Sequence, residues 1–191
     1  MYRIAVTNRK LCETDYMERI RQVAAGTYYD SILLREKDLT ETEYKKLAGD
    51  VLEICKKEGK NCMLHGFPNV ALEYRHPYLH LPLPLWENMQ KPQQCFLRAK
   101  MKRMGTSVHS MEQLHKAVEL GADYVFAGHI FVTDCKKDLP PGGLDFLREL
   151  CLESPVPVYA IGGIREENEQ LAVSQGAAGV CIMSGSMKGI V

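Results

Sequence analysis

The segment Gly121-Ala122-Asp123-Tyr124-Val125-Phe126-Ala127-Gly128-His129 contains the pattern that decides the fold of this chain. Its first glycine is typical of the residue that ends a helix. The apolar run 124–127 predicts a buried strand, and His129 opens the loop that leaves it. The same order of helix, apolar strand and polar loop recurs along the chain.

Short β-rich runs alternate with longer amphipathic runs from one end of the sequence to the other. The predicted strands cover residues 3–7, 31–34, 61–64, 79–81, 103–108, 124–127, 156–161 and 179–183. Several are almost wholly apolar, as in a parallel sheet that helices cover on its outer face and side chains fill on its inner face. We therefore predict an α/β fold, a (β/α)8 TIM barrel that forms a single domain over residues 1–191.

With 191 residues the chain is short for such a barrel. Residues 68–74, between the third and fourth strands, leave room for about two helical turns. Residues 184–191, after the eighth strand, are too few for a full closing helix. The sequence thus predicts a shortened helix after strand three and a truncated final helix. Apolar surface left open between the first and eighth strands would favour a homo-oligomer, most simply a dimer.

Polar residues before the amphipathic runs predict where helices begin. Thr14 is a candidate N-cap of the first helix, and Thr40 precedes Glu43 in the spacing of a capping box. Ser110 stands in the same relation to Gln113.

The composition argues against several classes of function. The 24 basic and 24 acidic residues give a net charge of zero, so no basic face is available for nucleic acid. No apolar run approaches the roughly 20 residues that span a membrane. The seven cysteines are scattered and lack Cys-x-x-Cys spacing, which indicates a reducing cytoplasm.

In a barrel of this type the active site lies at the carboxyl ends of the strands. The polar residues and glycines expected there are Asn8, Arg35, Lys37, His65, Ser107, His109, His129, Thr133, Lys136, Gly162, Gly163, Ser184, Gly185 and Ser186. Cations, hydroxyls, imidazoles and glycines predominate, so the pattern predicts an anion-binding pocket. No His, Cys and carboxylate cluster has metal-ligand spacing, and the sequence predicts neither a metal nor a cofactor.

Two turns favour a phosphate. Gly162-Gly163 follows the seventh strand and Ser184-Gly185 follows the eighth, where barrels commonly bind phosphate through backbone N–H groups. Ordinary tight turns are the alternative. Arg35 and Lys37 share one side of the chain by the period of two, although a solvated charge run would look the same.

His129 is the candidate acid–base catalyst, because an imidazole titrates near neutral pH and follows a strand end here. A packed, non-catalytic histidine is the alternative.

Six motifs resemble one enzyme group over nearly the whole chain. They are Leu34-Arg35-Glu36-Lys37-Asp38, Gly105-Thr106-Ser107-Val108-His109-Ser110, Gly121-Ala122-Asp123-Tyr124, the run from Gly128 to Lys137, Ile161-Gly162-Gly163-Ile164 and Met183-Ser184-Gly185. This set resembles the thiamine phosphate synthase superfamily, and within it the TenI-type thiazole tautomerases.

The resemblance implies a choice between two activities. Synthases of the superfamily displace pyrophosphate with magnesium held by carboxylates after strands three and four, where this chain has His65 and the run His80-Leu81-Pro82. Tautomerases carry Gly-His-Ile-Phe, as here at residues 128–131. The expectation is a metal-independent isomerase, a thiazole tautomerase with His129 as acid–base catalyst.

The ligand implied by the resemblance is a phosphorylated thiazole carboxylate. Its phosphate would meet Gly162, Gly163, Ser184 and Gly185, and its carboxylate and ring would meet some of Arg35, Lys37, His65, Ser107, Thr133 and Lys136. The alternatives are a divergent thiamine phosphate synthase and a regulatory protein that binds thiazole phosphate without turnover.

Overall fold

Eight parallel strands close into a barrel in the computed structural model, which describes residues 1–133 and 139–189. The strands are β1 (Tyr2–Val6), β2 (Ser31–Leu34), β3 (Asn61–His65), β4 (Tyr78–Leu81), β5 (Arg103–Val108), β6 (Tyr124–Gly128), β7 (Val158–Ile161) and β8 (Gly179–Ile182). Each strand pairs with its neighbours in sequence, and β1 pairs with β8. The predicted (β/α)8 barrel is confirmed.

Helices follow the strands and cover the outside of the barrel. They are α1 (Tyr16–Ala25), α2 (Glu41–Lys57), α3 (Pro68–Glu73), α4 (Leu83–Glu87), α5 (Lys91–Lys100), α6 (Met111–Glu119), α7 (Gly143–Glu153), α8 (Glu166–Ser174) and α9 (Ser184–Lys188). Among the residues that the structure describes, no helix is long and apolar enough to cross a membrane.

The ends of two elements differ from the sequence prediction for local reasons. Strand β7 begins at Val158 rather than residue 156, because Pro157 has no N–H to donate. Helix α1 is capped by Asp15 rather than Thr14, and the Asp15 carboxylate accepts from the N–H of Glu18. Thr40 and Ser110 cap their helices as predicted.

The barrel closes where β1 meets β8, with Tyr2 opposite Gly179 and Ile4 opposite Cys181. A side chain at position 179 would collide with the carbonyl oxygen of Tyr2, so only glycine lets the two strands approach. Closure therefore depends on a residue without a Cβ at the start of the last strand.

The two short helices are confirmed, since α3 has six residues and α9 has five. The sequence predicted exposed apolar surface between the first and eighth strands, but Ile182 of β8 and Met187 of α9 are buried. The Ser186 hydroxyl ties α9 to the barrel by donating toward the carbonyls of Val6 and Ile182, at 3.2 and 2.9 Å. Exposed apolar surface at this place therefore does not support the predicted homodimer, which stays a prediction.

A charged pair lies beside the closing strands. The Arg3 guanidinium donates to both carboxylate oxygens of Glu169 on α8, at 2.6 Å from Nη2 and 2.9 Å from Nε. The Glu169 side chain is 7% exposed. Tyr28 stacks under the guanidinium, 4.5 Å from ring centroid to carbon, and its hydroxyl also donates to Glu169. This cluster links the first strand to the last full helix.

Replacing Arg3 with methionine should lower the free energy of unfolding by about 2–4 kcal/mol, because the buried Glu169 carboxylate loses its partner. Urea unfolding measures this change. The matched control is Arg21→Met, which breaks the exposed pair of Arg21 with Glu18 and should cost less than about 1 kcal/mol. Equal losses in the two variants would contradict a structural role for the Arg3 pair.

Candidate functional site

The carboxyl ends of the strands surround a cavity of about 790 Å³. Ten of the predicted site residues line it together: Arg35, Lys37, His65, Ser107, His129, Thr133, Gly162, Gly163, Ser184 and Gly185. His109 lines it as well, whereas Asn8 and Ser186 do not. Lys136 lies outside the described residues. That these positions bind a ligand stays a prediction.

The loop after β2 presents its two cations to the cavity by turning the intervening residue inward. Glu36 is 2% exposed and accepts hydrogen bonds from the Thr7 hydroxyl at 2.8 Å and the Tyr16 hydroxyl at 3.0 Å. The alternation that the sequence suggested therefore holds: Glu36 anchors the loop, while Arg35 and Lys37 line the mouth.

The charge of this mouth affects the pKa of His65, the last residue of β3. Burial and, after it, the neighbouring positive charges of Arg35 and Lys37 together lower its pKa to about 3. Its imidazole is therefore neutral at physiological pH. The cavity gains its positive potential from the two fixed cations and not from this histidine.

Behind His65 a polar chain runs down the barrel axis. The His80 ring stacks on His65 with centroids 5.7 Å apart, and burial holds its pKa well below the usual range. One ring nitrogen of His80 shares a hydrogen bond with the Ser107 hydroxyl at 3.0 Å, and the other with the Tyr124 hydroxyl at 3.3 Å. Ser107 is thereby held in place at the floor of the cavity.

His129 lies at the opposite wall and is 8% exposed. Its Nε2–H donates to the carbonyl of Leu139 at 3.2 Å, since a carbonyl oxygen can only accept. The main chain also holds this residue, because the N–H of Gly142 donates to its carbonyl at 2.9 Å. The His109 ring bonds the carbonyl of Gly128 and fixes the end of β6.

The two glycines after β7 make room for the residues packed against them as well as for any ligand. Gly162 and Gly163 have φ of +96° and +67°, values that favour glycine. A side chain at Gly162 would collide with His129, and one at Gly163 would lie 2.8 Å from the Cβ of Phe131. The sequence analysis weighed a phosphate site against an ordinary tight turn, and packing against His129 and Phe131 requires both glycines in either case.

The turn after β8 forms the first turn of α9, and Ser184 and Gly185 are its first two residues. The N–H groups of a first turn have no partner within the helix and are open to an acceptor. Together with the turn at Gly163, they place backbone donors on one side of the cavity.

Other lining residues were not among the predicted site residues. They include Gln113, Arg165, Glu166, Glu167 and Lys188. They lie at helix ends rather than strand ends, so a search restricted to strand ends passes over them. Gln113, Glu166 and Glu167 lie in the first turns of α6 and α8, and Lys188 ends α9. The positive charges of Arg165 and Lys188 are offset by the carboxylates of Glu166 and Glu167.

The residues at the ends of β3 and β4 do not fit a magnesium site. Magnesium prefers carboxylate oxygen, whereas β3 ends in the neutral His65 and β4 ends in Leu81 followed by Pro82. Within residues 1–133 and 139–189, no group of three or more His, Cys, Asp or Glu could hold a metal. The donor chemistry disagrees with the metal site that the synthase pattern implies.

Comparison with known proteins identifies the family of this chain. The thiamine monophosphate synthase family, TMP-TENI, matches residues 3–186. A thiamine-phosphate synthase from Syntrophomonas wolfei is 31% identical over 95% of this chain and 86% of its own length. One from Coprothermobacter proteolyticus is 28% identical over 94% and 83%. The structure of a thiamine phosphate pyrophosphorylase from Pyrococcus furiosus superimposes with a TM-score of 0.82 at 26% identity, covering 97% of this chain and 87% of that one.

These relatives correct the expected reaction class. They are named as synthases, which are transferases, so the isomerase expectation is wrong. The expectation rested on the missing carboxylates after β3 and β4 and on His129, whose main chain is held by hydrogen bonds that any residue can make. The acid–base role predicted for His129 depended on the isomerase reaction.

Substituting alanine for Gly162 should lower the free energy of unfolding by about 2–4 kcal/mol, since strain at positive φ and collision with His129 act together. Gly59→Ala is the matched control, because Gly59 has φ of +64° with nothing within 4 Å of an added Cβ. It should cost about 1 kcal/mol. Thermal or urea unfolding compares the two, and a smaller loss at 162 than at 59 would contradict the collision.

Stability should fall as the pH drops below about 6.5. Because the folded-state pKa of His65 lies below its unfolded value, its contribution is fully present above pH 6.5 and is lost progressively toward pH 3. Each such histidine accounts for about 1.4 kcal/mol per pH unit in that window. Urea unfolding at pH 7 and pH 5 should show a shallower dependence in His65→Gln.

The control for this measurement is His115→Gln, whose side chain is 63% exposed and should leave the pH dependence unchanged. A wild-type slope retained in His65→Gln would show that His65 does not carry the effect.

Proposed function

Because this chain belongs to the thiamine monophosphate synthase family, we propose that it is a transferase of the thiamine-phosphate synthase type. In this reaction an aminopyrimidine group moves from its diphosphate to a thiazole phosphate, and diphosphate is released. The observation that carries the proposal is the cationic mouth of about 790 Å³, which combines fixed positive charges with backbone donors.

The thiazole phosphate is proposed to bind beside the loops after β7 and β8. Backbone N–H groups at Gly163, Ser184 and Gly185 would bond its oxygens. Lys188 lines the same side of the cavity and adds a positive charge. Supporting this assignment, barrels commonly bind phosphate at these two loops.

The diphosphate is proposed to bind toward β2. When the carbon–oxygen bond to the pyrimidine breaks, its electron pair leaves with the diphosphate, and negative charge increases there. Arg35 and Lys37 line that side, and a fixed cation stabilises such charge without reorganising. His65 stays neutral, so it does not compete with the anion for protons at physiological pH.

Because the ends of β3 and β4 do not fit magnesium, the cations of the chain itself would stabilise the negative charge of the leaving diphosphate. The same observation favours a second candidate function. A protein with a neutral histidine in place of a metal-binding carboxylate can bind a thiazole phosphate without turnover, as a ligand-binding regulatory protein does.

Thiamine phosphate formation from the aminopyrimidine diphosphate and thiazole phosphate tests the proposal, with and without added magnesium. The Arg35→Met variant should lose about 10²–10³-fold in kcat/KM, because one stabilising charge is removed from the leaving group. Arg148→Met, an exposed cation on α7, is the matched control and should keep full activity.

Calorimetry with thiazole phosphate separates the two candidates. Binding with no product under either condition would overturn the synthase proposal in favour of the binding protein. Product formation that Arg35→Met leaves unchanged would keep the synthase and refute the role of Arg35.

A further inference from the structure

The end of the barrel opposite the mouth holds another cavity, of about 230 Å³. The first residues of six successive strands border it: Tyr2, Ser31, Asn61, Tyr78, Arg103 and Tyr124. Residues at this end of such barrels usually serve stability. The volume of this cavity equals that of about eight waters at ~30 Å³ each, or one small ring-shaped organic molecule.

Ser31, at the start of β2, has an unsatisfied hydroxyl on this cavity. The residue is 1% exposed, and its Oγ has no hydrogen-bond partner among the described residues. Buried polar groups are almost always bonded. An orphaned hydroxyl that lines a cavity therefore points to a polar group supplied by a ligand.

The opposite side of the cavity carries positive charge. Lys102 and Arg103 are exposed at its rim, and none of the described lining residues carries a carboxylate. The acidic residues nearest in sequence are already engaged. Asp30 accepts from the N–H of Arg3 at 2.7 Å, and Asp123 accepts from Arg98 at 2.6 Å. An anion at the rim would thus meet two cations and no opposing lining charge.

Aromatic rings make up much of the wall. The rings of Tyr124 and Tyr159 lie nearly perpendicular, with centroids 6.0 Å apart, and the Arg103 guanidinium lies 5.7 Å from the centroid of Tyr124. Such surfaces accept the face or edge of a planar group. Met63 lines the same cavity and accepts from the Tyr124 hydroxyl at 3.3 Å.

We propose that this cavity binds a small planar organic anion with a carboxylate at one end and a polar group at the other. The carboxylate pairs with Lys102 and Arg103, the ring packs on the tyrosines, and the far polar group bonds the Ser31 hydroxyl. Strands β2 and β5 are three places apart in the closed barrel, so the two ends of the ligand meet different walls of the cavity. This proposal does not depend on the reaction at the mouth.

The probe is 4-hydroxybenzoate, titrated into protein labelled with ¹³C at the methionine methyl groups. Met63 lines the proposed site and Met183 lines the mouth, so the two signals separate the cavities. We expect a saturable ring-current shift of Met63 at millimolar probe with Met183 unmoved. A shift of Met183 alone, or of neither methyl group, would overturn the proposal.

Variants and analogues then test each end of the ligand. Arg103→Met should weaken binding about 10–100-fold, and Ser31→Ala, which removes only an unpartnered hydroxyl, about 5–10-fold. Lys100→Met is the control, an exposed neighbour that does not line the cavity, and should bind as the wild type does. Equal affinity for uncharged 4-hydroxybenzyl alcohol would refute recognition of an anion.

Discussion

The hydrogen-bonded pairing of β1 with β8 is the constraint on which the rest of the molecule depends. Until Ile4 lies opposite Cys181, the carboxyl ends of the first and last strands are not neighbours, and the loops after β2 and β8 cannot border one cavity. The pairing needs a glycine at position 179, and the short helix α9 gives it little cover. The Arg3–Glu169 ion pair and the Ser186 hydroxyl fasten the closure from outside, where a longer helix would otherwise pack.

In the closed barrel, the cations of the mouth and the buried imidazoles beneath them behave differently with pH. The mouth is positive because its cations are a guanidinium and an ammonium, which stay charged over the whole physiological range. The imidazoles beneath them stay neutral because burial and those same cations oppose protonation. The hydroxyl of Ser107 is held by a neutral ring rather than by a group that gains and loses a proton. Neither His65 nor His80 therefore adds charge to the mouth between about pH 5 and pH 8.

Periodicity was sufficient for the barrel, since every strand is an apolar run next to a turn or cap signal that acts locally. It also placed Arg35 and Lys37 on one side, because alternation along an extended chain is purely geometric. Features that depend on contacts between distant segments could not be predicted. They are the close approach of His129 that only glycine at position 162 allows, the cations Arg165 and Lys188 at helix ends, and the covered apolar surface beside α9. The reaction class could not be predicted from a single loop residue such as His129, because the residues around it come from elsewhere in the chain.

Main-chain hydrogen bonds hold the described parts of the β6–α7 loop. The N–H groups of Ile130 and Phe131 donate to the carbonyls of Ile161 and Gly162, and the carbonyls of His129 and Ile130 accept from Gly142 and Gly143. A mutation at position 129 keeps these four bonds and loses the one from the His129 side chain to the carbonyl of Leu139. It changes the chemical group at the wall of the cavity. Such an arrangement lets evolution exchange one chemistry for another on an unaltered barrel, one residue at a time.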